Sequence, residues 1–350
     1  MREYLPSVAG NSALRNRLGK DLENGAFSHA YILEGPDGSG KATLAKELVM
    51  ALACENRQND TRPLPCGSCP SCRKIAAGSS PDVIHIYREE GKSTMGVDVV
   101  RTLRTDVITV PNDLAFKVYL IHDAHTMTIQ AQNALLLTLE EPPAFVLFFL
   151  LAADASALLE TIRSRAPVLR MQPVTEAEIE AYLCASGRDP ALARAASALR
   201  TGAPEDFAAI LRMSSGRIGA AIALLDEEKR APMLENRRTV TEICRLLSRR
   251  ASPDILLSTL LTFGTNRESV IEKLLLLEQA LRDLLLLLYS EKAELVFFTD
   301  REAAWELSSL FTARRLLSHT DTVRETLSAL AANGNVRLLL VQLQHRLSAE

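Results

Sequence analysis

Residues 31–43 read Tyr31-Ile32-Leu33-Glu34-Gly35-Pro36-Asp37-Gly38-Ser39-Gly40-Lys41-Ala42-Thr43. An apolar run enters a glycine-rich turn, and the turn opens onto a stretch with helical patterning. Gly35, Gly40 and Lys41 keep the Gly-x4-Gly-Lys spacing of a phosphate-binding loop, in the strand–turn–helix context that such a loop requires. Glycines such as Gly38 let backbone N–H groups turn toward a phosphate. The helix N-terminus adds positive potential and Lys41 a full charge. An ordinary glycine-rich strand-to-helix turn is the alternative, and the spacing favours the phosphate loop. The next position should carry a hydroxyl for magnesium, yet it is Ala42. Thr43 lies one residue on, about 100° further round the helix. The loop is therefore expected to bind phosphate weakly or to keep only its shape, with ATP and magnesium binding both called into question.

Working outward, further apolar runs occur at Val83-Ile84-His85-Ile86, Val118-Tyr119-Leu120-Ile121 and Phe145 to Leu151. Continuous runs of this kind suit strands buried on both faces of a parallel sheet. Between them lie candidate helices at 12–24, 41–54, 97–108 and 128–140, the last stopped by Pro142-Pro143. The pattern predicts an α/β fold with a doubly wound sheet. After about residue 171 strand signals cease. Thr175 reads as an N-cap whose capping box is completed by Glu178, and helical patterns run to the end. Val270, Leu274, Leu277, Leu281, Leu284 and Leu288 mark one face of a long helix. The expected division is 1–170, 171–227 and 228–350.

With 350 residues, 47% of them hydrophobic, the chain can bury more than one core. The net charge of -3 lacks the positive excess of a chain that lives on nucleic acid, and 5% aromatics argue against a base-stacking surface. Residues 1–20 hold no apolar signal core. The leucine-rich stretch 270–290 is broken by Glu272, Lys273, Glu278, Arg282 and Asp283, so it is not read as a membrane span. A soluble, cytoplasmic chain is expected, where thiols stay reduced.

That setting decides how Cys54, Cys66, Cys69 and Cys72 are read. Their spacing, C-x11-C-x2-C-x2-C, suits a closed tetrahedral zinc site. Four thiolates leave no open position for water, so the zinc in this module, residues 54–78, would be structural. Cys184 and Cys244 stand alone in helical patterns and read as core residues.

Residues 117–125, Lys-Val-Tyr-Leu-Ile-His-Asp-Ala-His, look like the second acidic motif of a nucleotide site. A working site needs an aspartate at the strand end for magnesium and then a glutamate to activate water. Here His122 precedes Asp123. Magnesium prefers oxygen ligands, so His122 serves it poorly, and Asp123 reaches less far than glutamate. His122 and His125 could alternatively be read as a metal pair, but capping of the strand end is the preferred reading.

Taken together, the runs SHAYILEGPDGSGK (28–41), KVYLIHDAHTM (117–127), QNALLLTLEEPPAFVLFFL (132–150) and TIRSR (161–165), with the cysteine insert, resemble the AAA+ subunits of bacterial DNA polymerase III clamp loaders. The match covers the first ~170 residues in order and spacing. QALRDLLLLL (279–288) and NVRLLL (335–340) look like the helical collar of the delta-prime subunit. The resemblance implies an AAA+ domain with a zinc-module insert, then a small helical lid and an all-α collar.

Two kinds of relative compete. The gamma/tau subunit is the ATP-driven motor; the delta-prime subunit is a stator whose nucleotide site is often degenerate. Ala42 and His122 break the motor pattern. So do Ala153, where the motor carries its polar sensor 1, and Gly219, near the motor's sensor 2 arginine, with Arg217 two residues away. The delta-prime kind is therefore expected, one position in a pentameric ring with gamma/tau and delta, which places a sliding clamp on primed DNA. Ser164-Arg165 matches the start of the family's Ser-Arg-Cys motif, with Ala166 in place of the cysteine. The resemblance gives Arg165 the role of an arginine finger toward ATP on the neighbouring subunit. Spacing alone does not choose Arg165 over Arg163 or Arg170 in a local ion pair. The competing functions are an active gamma/tau-type ATPase, an unrelated P-loop NTPase or nucleotide kinase, and a zinc-dependent nucleic-acid-binding module.

Overall fold

The computed structural model describes residues 2–59, 61–185 and 189–349. In chain order its strands are β1 (Ala30–Glu34), β2 (Val83–Ile86), β3 (Lys117–Ile121), β4 (Val146–Ala152) and β5 (Val168–Arg170). The helices of the first part are α1 (Ser12–Glu23), α2 (Lys41–Ala53), α3 (Pro70–Ala76), α4 (Val97–Asp106), α5 (Ile129–Glu140), α6 (Glu160–Arg163) and α7 (Glu176–Cys184). Then follow α8 (Pro190–Gly202), α9 (Pro204–Met213), α10 (Ile218–Leu225), α11 (Glu227–Ser248), α12 (Pro253–Leu261), α13 (Arg267–Tyr289), α14 (Arg301–Ser309), α15 (Ala313–Ala331) and α16 (Val336–Ser348). The expected strands and the four expected N-terminal helices are all present, with ends shifted by one or two residues. Strand β5 has three residues, too few to register as an apolar run.

The sheet is parallel throughout, in the order β2-β3-β4-β1-β5. Successive residues of a strand point to opposite faces, and the core divides accordingly. Tyr31, Leu33, Val118, Leu120, Phe149 and Leu151 pack with Leu18, Leu44 and Leu48 of α1 and α2. Ile32, Tyr119, Ile121, Phe148 and Leu150 pack on the other face with Val100, Leu103, Leu135 and Leu139 of α4 and α5. Because both faces are covered, the strands read as unbroken apolar runs. This is the α/β fold expected, a parallel sheet covered on both faces, with a cysteine-bearing insert and a large all-α part.

The chain forms two compact units, Met1–Pro190 with Gly216–Ala220, and Ala191–Ser215 with Ala221–Glu350. In the second, α13 lies at the centre and packs against α11, α14 and α15. Val270, Leu274, Leu277, Leu281 and Leu284 are fully buried as the periodicity predicted, but Leu288 is partly exposed and Leu287 is buried instead. At 3.6 residues per turn Leu288 stands five full turns from the buried Val270, on the same line of the helix, so its exposure follows from its place in the last turn of α13 and not from the periodicity. Cys244 is a core residue; Cys184 is only half-buried. The Thr175 capping box is formed, its hydroxyl accepting from the Glu178 N–H. No helix among the described residues is long and apolar enough to cross a membrane.

One buried acid anchors the edge of the sheet. Asp82, just before β2, is fully buried and accepts N–H groups of Asn112, Asp113 and Leu114 at 2.7, 2.6 and 2.8 Å. Burial alone would favour the neutral acid, but these N–H donors and then Lys117 outweigh it and hold the carboxyl below its ordinary value. A carboxyl depressed in the folded state stabilises above the unfolded value of about 3.9 and stops doing so as pH falls through the folded one. Asp82→Asn should therefore cost about 1–3 kcal/mol at pH 7. Its Tm deficit against the parent should shrink as pH is lowered below about 4; a deficit constant with pH would exclude a charged Asp82.

Candidate functional site

The glycine-rich turn joins β1 to α2. Gly35 follows β1, its N–H donating to the Ala152 carbonyl at 3.1 Å. Gly38 and Gly40 take φ of +79° and +97°, conformations that a side chain would strain. Lys41 begins α2. Its ammonium donates to the carbonyls of Gly35 and Pro36, the latter at 3.0 Å, and lies 3.5 Å from the Asp37 carboxylate. Ala42 is exposed, and Ala42 and Thr43 line a cavity of about 360 Å³ with Lys46, Ser80 and His85.

Gly38 is closed off by backbone. Its carbonyl accepts the Gly219 N–H at 2.8 Å. A Cβ on Gly219 would come to 2.9 Å from the Gly38 Cα. The position loosely matched to a sensor arginine thus lies against the phosphate loop and has no room for a side chain. Gly219→Arg should lower stability by about 1–3 kcal/mol through this overpacking and leave Mg-ATP turnover no higher than the parent. Thermal unfolding and a turnover assay check both; a gain in turnover would mean that the loop accepts nucleotide once a cation is supplied.

At the end of β3, His122 faces His85 on β2, Nδ1 of His85 lying 3.0 Å from Nε2 of His122. Tyr87 stacks on His122 with ring centroids 4.3 Å apart. Burial lowers the pKa of both imidazoles, and for His122 the neighbouring His85 lowers it further. Two neutral rings can share one N–H···N bond, which is the contact seen. His125 has a different partner: its Nδ1 accepts the Ala153 N–H at 3.2 Å. The two histidines of the alternative metal reading therefore engage separate groups. Asp123 adopts φ +48°, a left-handed conformation that aspartate tolerates better than most residues, and its carboxylate lies 4.0 Å from Arg88.

The four cysteines converge. The sulfurs of Cys54, Cys66, Cys69 and Cys72 all lie within 4.8 Å of one another. Ideal tetrahedral zinc, with bonds of about 2.3 Å, sets sulfurs roughly 3.8 Å apart, so the cluster can close on one ion by small side-chain movements. Cys54 caps the C-terminus of α2 and Cys69 the N-terminus of α3, so the two helices set the spacing. The Cys66 sulfur accepts from the Asn56 amide and the Cys69 N–H, each at 3.4 Å. Burial opposes its ionisation, but Asn56, the Ser68 and Cys69 N–H groups and the Ser68 hydroxyl prevail and bring the pKa to about 5. Burial pushes the Cys54 and Cys72 thiols up. Such a set holds one sulfur ready as thiolate, and a metal would supply the charge that lets the others ionise.

Arg165 follows the short helix α6, seated by the fully buried Ile162 and Ala166. Its Nη2 pairs with Glu140 at 2.8 Å, and its Nη1 donates to the Thr161 carbonyl at 3.0 Å. About a third of the side chain is exposed. Arg170 instead pairs with Glu34 at 2.6 Å. Sequence reading missed three of these partners: His85, Glu140 and the Gly38–Gly219 contact. Only Glu140 left a local trace, as an acid in the last turn of a helix, where the dipole disfavours it.

Residues 10–175 match the family model described as DNA polymerase III, delta subunit. Over 172 residues the chain is 37% identical to DNA polymerase III subunit tau of Bacillus subtilis, covering 49% of this chain and 30% of that protein. Over 181 residues it is 34% identical to DNA polymerase III subunit gamma of Buchnera aphidicola, covering 52% and 48%. The matches thus span less than half the length of these relatives. A gamma-subunit-related protein of DNA polymerase III from Thermotoga maritima aligns over 95% of this chain and 98% of its own, with 17% identity and a TM-score of 0.45. In sequence, the N-terminal half of the chain is similar to the gamma and tau subunits of DNA polymerase III and matches the family model of its delta subunit.

Proposed function

We propose that the chain is a non-motor subunit of a DNA polymerase III clamp loader, of the delta-prime kind, working in the cytoplasm within a pentameric ring of gamma/tau and delta subunits. The observation that carries this reading is the state of its nucleotide loop. Lys41 is turned onto the loop's own carbonyls and Asp37, and Gly38 is closed by Gly219. Ala42 and His122 offer magnesium no oxygen where it needs one. The helical region after residue 228 acts as the collar, residues 171–227 as the lid, and the cysteine module holds one structural zinc. Arg165, outside that loop and partly exposed, is the arginine presented to ATP on the adjacent subunit, where a guanidinium stabilises charge on the transferring phosphoryl group. The assembled ring loads the sliding clamp on primed DNA.

The gamma and tau names of the relatives favour a second reading, an active ATPase. The two separate in one set of assays. The purified chain should show no Mg-ATP turnover that depends on Lys41, whereas Arg165→Ala in the reconstituted complex should lower clamp- and DNA-stimulated hydrolysis on the order of 10³-fold. Turnover by the isolated chain that Lys41→Ala abolishes would establish the motor reading instead.

A further inference from the structure

We propose that Glu140 is a positioning residue for Arg165, holding its guanidinium in the orientation that reaches the neighbouring nucleotide; the inference rests on the reading of Arg165 given above. Glu140 is the last residue of α5, and α5 carries no basic residue in its last turn. A carboxylate there faces the negative end of the helix dipole, an unfavourable place unless a cation answers it. The answering cation is Arg165, Nη2 to Oε1 at 2.8 Å.

The two residues come from separate elements with fixed bases. On α5, Leu139 and Thr138 are buried, so the helix end carrying Glu140 is anchored. On the other side Ile162 and Ala166 are fully buried around Arg165. The guanidinium is gripped on one amino group by the Thr161 carbonyl at 3.0 Å and, more loosely, the Ser164 hydroxyl at 3.4 Å. Glu140 grips the other. A planar fork fixed through both amino groups has its plane set, not only its position. Asp37, Asp123 and the cysteine cluster have no such link to Arg165. An ion pair this exposed contributes little to folding, so its removal should be read in the reaction rather than in the stability.

The test uses the full chain assembled with its partner ATPase subunits, assembly being verified by size-exclusion chromatography. Glu140→Ala should lower kcat of the stimulated ATPase about 5- to 20-fold, since small misplacements of a transition-state group are costly, with KM for ATP unchanged. Glu140→Gln, which keeps an acceptor oxygen, should recover most of that loss. Glu140→Ala combined with Arg165→Ala should be no slower than Arg165→Ala alone. If Arg165→Ala is crippled while Glu140→Ala turns over like the parent, or if Glu140→Ala raises KM instead, Glu140 does not position the arginine. If Arg165→Ala itself is fully active, the reading of Arg165 falls, and Glu140 with it.

Discussion

Asp283→Ala should cost the helical unit about 3–5 kcal/mol, since it takes the acceptor from several backbone N–H groups at about 1–3 kcal/mol for each one left buried and unpaired. Asp283 is fully buried on α13. Its carboxylate accepts the N–H groups of Val296, Phe297 and Phe298 at 2.9, 2.7 and 3.2 Å, and Arg282 donates to it at 3.1 Å. One side chain thus collects three consecutive backbone donors that follow the helix. The same segment is held from the other side, since Arg237 donates to the Phe297 carbonyl and lies over that ring at 5.2 Å. Removing the carboxylate leaves three donors without an acceptor, those of Phe297 and Phe298 buried and that of Val296 partly so, each a desolvation cost, and loosens the fully packed Phe297. Against a total stability of about 5–15 kcal/mol this is a large fraction. Asp283→Asn, retaining one acceptor oxygen, should lose roughly half as much. Urea unfolding measures the loss, and hydrogen exchange at residues 296–298 locates it. A cost under about 1 kcal/mol with protection unchanged would mean that the segment is held by its packing alone.

The second large effect concerns the cysteine module. The purified chain should carry one zinc ion, and Cys72→Ala should lose it or hold it at least tenfold more weakly. Structural zinc contributes about 10–16 kcal/mol of apparent binding free energy in small domains. Here part of that module is also held by apolar packing, because Cys54, Cys69 and Cys72 share the core with Met50, Leu64 and Ile75. The expected result is therefore local: proteolytic cleavage opens between residues 55 and 68 while the sheet stays folded. Metal analysis and limited proteolysis of the parent, the variant and a chelated sample decide it. A metal-free parent with a protease-resistant module would show the cluster to be a set of packed thiols.

Much of the first unit is legible without coordinates because its signals are local. Apolar runs became β1 to β4, since both faces of each strand are covered and no polar residue need interrupt them. Gly38 and Gly40 at positive φ, and the helix that starts at Lys41, follow from short-range chemistry that the residues carry themselves. The cysteine spacing likewise announced a cluster, because a tight turn places three sulfurs from neighbouring residues and a helix end supplies the fourth.

What escaped the sequence depends on partners far along the chain. Glu140 meets Arg165, His122 meets His85, and Gly38 meets Gly219 only when the sheet and its crossing helices bring them together. Asp283 is the plainest case. Read along the chain it is one of several charges interrupting a leucine run, and it told only against a membrane span. In the fold it is completely buried, because the backbone of residues 296–298 turns its donors toward it. Periodicity reports which face of an element seeks an apolar environment. Whether a charged side chain on that element meets water or a set of hydrogen-bond donors depends on which backbone arrives opposite it, and only the tertiary structure decides that.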